Sequence, residues 1–209
     1  MTTQTSAFVH ARRWLVLVVM LLVIFLAILN LVLLNGAIAA IQHDLYASSI
    51  QGQVIISAYD LAYIIVLITG VGERLSARYG RKRLFLMSLL VFMLFALLCS
   101  LAPSMPLLVI ARTLQGLAAG LMSSQVSVLI EGNVLPCKKS IVFGFQGATA
   151  VLAVIAGAIL GGVLTTSHAF GIGWRAVFLV NIPIGMLTLL AALLVIREFR
   201  TPGSHEQAL

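Results

Sequence analysis

Six stretches of predominantly apolar residues run through this chain, at 14–34, 54–71, 84–102, 105–130, 141–164 and 176–196. Each approaches or exceeds the roughly 20 residues that an α-helix needs to cross the hydrocarbon of a bilayer. Without water, every backbone N–H and C=O must be bonded within its own segment, so runs of this length are expected as membrane-spanning helices. Composition leaves no other class open. With 61% hydrophobic and 9% charged residues, the chain lacks the surface of a soluble domain, where about 25% of residues are charged. The expected fold is all-α and integral to the membrane. Six transmembrane helices form one bundle over residues 14–196, between a cytoplasmic N-terminus, 1–13, and a cytoplasmic tail, 197–209.

Orientation follows from residues 73–83, Glu-Arg-Leu-Ser-Ala-Arg-Tyr-Gly-Arg-Lys-Arg, which place five cations between the second and third apolar runs. An arginine or lysine at the bilayer centre costs about 2.5–3.5 kcal/mol on insertion scales, so this segment is expected as a loop outside the hydrocarbon. Short loops rich in Lys and Arg stay in the cytoplasm. Alternating sides from there puts eleven of the thirteen basic residues inside, from Arg12 and Arg13 through Lys138 and Lys139 to Arg197 and Arg200. Arg175 falls outside and Arg112 within a span. The net charge of +7, spread over loops, implies anionic lipid as a partner and not nucleic acid. Cys99 and Cys137 form neither a disulfide framework nor a metal-ligand pattern. The first apolar run is too long for the apolar core of a signal peptide and is read as a span.

Polar groups inside the spans carry the functional signal, because each needs a partner or water to offset its desolvation. Asn30 lies in the first span, and Asp60, in Tyr59-Asp60-Leu61, is the one acid in any span. Asp60 is either a proton or cation site or a residue reaching water from the outer end of its helix. In the fourth span Arg112, Gln115, Gly116, Ala119, Gly120 and Ser123 share one helical face, which points to the bundle interior. Arg112 there can hold an anionic group, keep a neighbouring acid ionised or bond backbone carbonyls. In the fifth span Gly157 and Gly161 form a small-xxx-small pair that lets another helix approach closely. No span pairs Ser with His, carries two carboxylates or clusters metal ligands, so an intramembrane enzyme, a cofactor and a metal are not expected.

Together these stretches resemble the Major Facilitator Superfamily, and within it the fourteen-helix drug:proton antiporters. Leu75-Ser-Ala-Arg78-Tyr-Gly80-Arg81-Lys82 is similar to the signature between its second and third helices. Arg112-Thr-Leu-Gln115-Gly116 resembles its fourth-helix motif, and Gly157-Ala158-Ile-Leu-Gly161-Gly162 the antiporter motif of helix five. Trp174-Arg175 through Phe178, Asn181, Pro183 and Gly185 resembles the entry to helix six, and Leu29-Asn30 through Ala39 echoes the first-helix pattern. The resemblance implies two three-helix repeats and a bacterial inner-membrane efflux transporter that exports small organic compounds by proton exchange. It implies transport or coupling roles for Asn30, Asp60, Arg112 and Gln115. It also implies a gating role for Arg74, Arg78, Gly80, Arg81 and Lys82, and a moving helix contact at Gly157, Gly161 and Gly162.

Departures accompany it. Ala77 stands where the signature has Asp, Asn30 where the first helix has an acid, and Ala158 where the antiporter motif has Pro. Asn30 cannot titrate, which leaves Asp60 with Arg112 as the pair available for proton coupling. Family members have two six-helix bundles with the substrate cavity between them, so these residues correspond to the N-terminal half. A second copy or a partner chain would complete the cavity. The other reading is a truncated, non-transporting membrane protein or a modulatory half packed against a partner.

Overall fold

Residue by residue, the apolar runs become helices, and the turns between them fall where glycine, proline or a capping side chain interrupts. The computed structural model describes residues 2–133, 139–166 and 172–195. α1 spans Thr2–Leu33 and passes through a 3-10 turn, Leu34–Gly36, to the short α2, Ile38–Asp44. α3 (Ser49–Thr69), α4 (Val71–Tyr79), α5 (Arg81–Leu101), α6 (Met105–Asn133) and α7 (Lys139–Thr166) follow. A 3-10 turn at Gly173–Arg175 leads into α8 (Ala176–Leu179) and α9 (Asn181–Val195). Among the described residues, six segments are long and apolar enough to cross a membrane: Trp14–Gly36, Ser49–Thr69, Arg81–Leu101, Met105–Val126, Ser140–Thr165 and Gly173–Val195. No strand occurs among the described residues.

Three boundaries differ from the sequence expectation, each for a local reason. The second span begins at Ser49 because Ser48 and Gln51 close a capping box: the Ser48 Oγ accepts the Gln51 N–H at 3.3 Å and the Gln51 Oε1 accepts the Ser48 N–H at 3.0 Å. The basic segment 73–83 is not an irregular loop. Its first half is α4 and its last three residues open α5, with Gly80 between them at φ +91°. The last span splits at Val180, because Pro183 has no N–H to donate to the carbonyl four residues back. The tail expected at 197–209, together with Cys137, Lys138, Arg197 and Arg200, lies outside the described residues.

α1 and α6 form the axis of the bundle. α1 packs on α7, α9 and α6; α6 packs on α3, α5 and α1; α5 also meets α9. Buried apolar side chains gather in two clusters. One holds Met20, Leu26, Phe85, Phe92 and Met122, and the other Leu34, Ile41, Ile55, Leu108 and Phe178. Between them along α1, α6 and α9 lies a layer of buried polar side chains, Asn30, Arg112, Gln115 and Asn181.

Candidate transport site

The polar layer starts from Arg112, which is 1% exposed and the largest of the fully buried side chains. Its place on α6 is set by the helical spacing that puts Arg112, Gln115, Gly116, Ala119 and Gly120 on the buried face. The missing side chains matter as much. A Cβ at Gly116 would run into the Tyr59 carbonyl, and one at Gly120 would lie 2.9 Å from the Tyr63 carbonyl. These two glycines therefore let α3 and α6 meet backbone to backbone and bring the Tyr59 ring to Arg112.

The guanidinium carbon sits 4.2 Å from the centre of the Tyr59 ring and 5.9 Å from that of Phe178. Desolvated cation–π contacts of this kind contribute about 2 kcal/mol. The Tyr59 hydroxyl donates to the Ala27 carbonyl at 3.2 Å, which ties α3 to α1. The Arg112 Nη1 donates to the Gln115 Oε1 at 3.1 Å and its Nη2 to the Asn30 carbonyl at 3.4 Å. Its Nε has no hydrogen-bond partner.

Asn30 gathers the rest. Its Nδ2 donates to the Asn181 Oδ1 at 2.6 Å, and the Asn181 Nδ2 donates back to the Asn30 Oδ1 at 3.3 Å. The Gln115 Nε2 reaches the same Oδ1 at 3.5 Å. Asn181 also donates to the Phe178 carbonyl at 3.1 Å, at the turn that Pro183 leaves open. The result is one connected network over α1, α6 and α9 in which the single formal charge is that of Arg112. A cation held by neutral amides and aromatic faces keeps capacity for an anionic group.

Of the expected coupling residues, the structure brings Asn30, Arg112 and Gln115 into direct contact. Asp60 is not ion-paired with Arg112. It follows Tyr59 on α3, half-buried, and its Oδ1 is buried without a hydrogen-bond partner. The sequence shows Asn181 only as part of the motif entering the last span; its central place in the network appears only in the fold. The spacing Gly116-xxx-Gly120 was the available signal for the tight α3–α6 crossing.

Gly157 and Gly161 of α7 lie against α1. A Cβ at Gly157 would sit 3.2 Å from the Leu29 carbonyl, and one at Gly161 would collide with the Leu33 carbonyl. From the other side, a Cβ at Gly36 would lie 2.6 Å from the Gly161 carbonyl carbon and 2.7 Å from the Gly162 nitrogen. Gly162 itself has open space where its side chain would be. Away from this layer, Arg74, Ala77 and Arg78 lie exposed on α4, and the Arg78 guanidinium lies 5.6 Å from the Tyr79 ring centre. Arg81 and Lys82 are half-buried in the first turn of α5.

At the opposite end of the bundle, the Asp44 Oδ2 accepts from the Trp174 indole N–H at 2.9 Å and from the Arg175 Nη1 at 3.1 Å. Arg175 also stacks over the Trp174 ring at 4.4 Å. The indole hydrogen bond, then the Arg175 hydrogen bond, hold the Asp44 carboxyl below the usual carboxylate range.

Comparison with known proteins agrees with this arrangement. The family model described as Major Facilitator Superfamily matches residues 20–208. The chain is 37% identical over 193 residues to the "Probable actinorhodin transporter" of Streptomyces coelicolor, covering 92% of this chain and 33% of that protein. It is 36% identical over 192 residues to the "Probable multidrug resistance protein EmrY" of Escherichia coli, covering 91% and 36%. The chain thus spans about a third of the length of these curated relatives. A crystal structure of a bacterial homologue of the human lysosomal transporter Spinster, inward-facing and unoccupied, superposes with a TM-score of 0.73 at 17% identity, covering 94% of this chain and 46% of that one. Six apolar helices, a polar layer closed around one arginine and a family match over nearly the whole chain together establish a multi-pass membrane protein that belongs to the Major Facilitator Superfamily.

Proposed function

We propose that this chain is the N-terminal six-helix half of an efflux transporter of the bacterial inner membrane, exporting small organic compounds in exchange for protons. The observation that carries the reading is the buried network of Arg112, Gln115, Asn30 and Asn181, which places a desolvated cation where helices of the two halves of the bundle meet. The relatives named for actinorhodin and for multidrug resistance support export of organic compounds. Both termini lie on the cytoplasmic side, and the bundle consists of two three-helix repeats. Packing supports the repeats: α1 lies on α7 as α6 lies on α3, and α1 meets α9 as α6 meets α5. That pattern is what exchanging the first three spans for the last three would produce.

In this reading Arg112 answers an anionic or protonatable group entering from the cavity, and Asp60 supplies the titratable carboxyl. Gly157 and Gly161 give α7 a smooth track along α1, with Gly162 beside it facing open space, and the α4–α5 segment with Arg74, Arg78, Gly80, Arg81 and Lys82 gates the cytoplasmic mouth. A second six-helix bundle completes the cavity.

The test is efflux of a fluorescent lipophilic cation from cells expressing the chain, with and without a protonophore, after membrane insertion is verified. Protonophore-sensitive efflux that disappears in Arg112→Ala, and shifts its pH dependence in Asp60→Asn, is the expected result. Efflux at background from a well-inserted chain, alone and with a six-helix partner half, would sink the proposal.

A further inference from the structure

The cleft on the flank of α4, α5 and α6 has no part in the polar layer. Its volume is about 350 Å³, and it is lined by Leu75 and Tyr79 of α4, by Met87 and Val91 of α5, and by Leu114 and Leu121 of α6, among others. Ser88 is the only hydroxyl-bearing aliphatic side chain in that lining, and its Oγ is already spent on the Leu84 carbonyl at 2.8 Å. The cleft therefore offers a ligand apolar contact along its length.

Its end is different. Tyr79 is the last residue of α4, and the Arg78 guanidinium lies 5.6 Å from its ring centre. Leu84, also in the lining, is one helical turn beyond Arg81 and Lys82. Gly80, at φ +91°, joins the two helices, so Arg78 in the last turn of α4 and Arg81 and Lys82 in the first turn of α5 stand within four residues of one another in the chain, flanking the lining residues Tyr79 and Leu84. An apolar slot that ends at a helix junction bearing three cations complements a molecule with an apolar tail and an anionic head.

We infer that this cleft is a binding site for one anionic phospholipid, with an acyl chain lying between α5 and α6 and the headgroup phosphate held at the α4–α5 turn by Arg78, Arg81 and Lys82. The site goes beyond general attraction of basic segments to anionic membranes, because it fixes one lipid in one place. A zwitterionic lipid can enter the slot but neutralises fewer of the cations. A partner helix could fill the slot but would leave the cations at its end unanswered.

The experiment uses tryptophan quenching in vesicles. The Met87→Trp chain, its reporter in the cleft, is reconstituted into vesicles of phosphatidylcholine with increasing fractions of phosphatidylglycerol or phosphatidylcholine brominated on the acyl chain. A second chain carries Val151→Trp on the exposed face of α7, and the unsubstituted chain supplies the background of Trp14 and Trp174. Both reporter positions are exposed, Met87 by 63% and Val151 by 60%, so neither substitution disturbs the core.

Brominated phosphatidylglycerol is expected to quench the Met87→Trp reporter at lower mole fraction than brominated phosphatidylcholine, with no such preference at Val151→Trp. Adding Arg78→Gln, Arg81→Gln and Lys82→Gln should abolish the preference, by about fivefold in relative affinity per cation removed. Equal quenching by the two lipids at Met87→Trp overturns the proposal. So does the same preference at both reporters, which would mean general enrichment around a basic protein, and so does a reporter that neither lipid reaches, which would mean that protein covers the cleft.

Discussion

Asn30 and Asn181, 151 positions apart in the chain, hold each other by two hydrogen bonds, the shorter 2.6 Å, within the buried polar layer of the bundle. The two amides lock α1 to α9 at the depth where Arg112 reaches the Asn30 carbonyl from α6. Replacing Asn181 with Leu leaves the Asn30 amide short of a partner in a dry site, which costs about 1–3 kcal/mol of stability. The double variant Asn30→Leu/Asn181→Leu should recover part of that, since interhelical hydrogen bonds in membranes are worth only about 0.6 kcal/mol on average. Unfolding of the purified chain in mixed micelles, run as a double-mutant cycle, measures the coupling directly. Strictly additive losses would show that the pair is not coupled.

The glycines on α7 separate by position. Gly161→Leu drives a side chain into the Leu33 carbonyl and is expected to lower stability by about 1–3 kcal/mol, as overpacking does. Gly162→Ala points into open space and should change stability little. Thermal melting of both variants checks the contrast, and equal effects would count against the packing of α7 on α1.

Gly80 holds φ +91° and ψ 140°, backbone that a side chain strongly disfavours. Gly80→Ala should cost about 1–3 kcal/mol and loosen the junction of α4 with α5. Faster proteolysis at the adjacent Arg81 and Lys82 in the folded chain is the readout, and an unchanged cleavage rate would contradict the prediction.

Asp44 carries the acid dependence of the end of the bundle where α2 meets the Gly173–Arg175 turn. Its carboxyl is held below the usual range in the folded chain, so its contribution is fully present above the unfolded value of about 3.9. It is lost as pH falls through the lower folded value. Acid titration of the fluorescence of Trp174, whose indole donates to Asp44, should therefore show a transition below about pH 4 that Asp44→Asn removes. A transition unmoved by the substitution would assign it to another group.

Much of the fold was legible because hydrocarbon leaves a chain few options. The six apolar runs had to be helices, and the shared face of Arg112, Gln115 and Gly116 had to be interior, from spacing alone. What stayed hidden depended on contacts between segments far apart in sequence. Nothing local distinguishes Asn181 as the partner of Asn30, and nothing in Asp60 shows that Arg112 takes amides and a tyrosine face in place of its carboxylate. The basic segment, expected as a loop, is helical on either side of Gly80, because charge excludes it from the hydrocarbon without excluding helix.

The buried arginine also bears on how the protein is made. α6 is the least apolar of the six spans, and Arg112 near its middle would be a poor candidate to leave the insertion machinery unaccompanied. Its acceptors are at hand in the order of synthesis: α1, with the Asn30 carbonyl, and α3, with the Tyr59 ring, are already in place when α6 emerges. The short link at Ala102 to Ser104 delivers α6 together with α5 as one hairpin. Biogenesis of the fourth span is thus tied to the first, and a fault in α1 should appear as failed integration of α6 before it appears as lost transport.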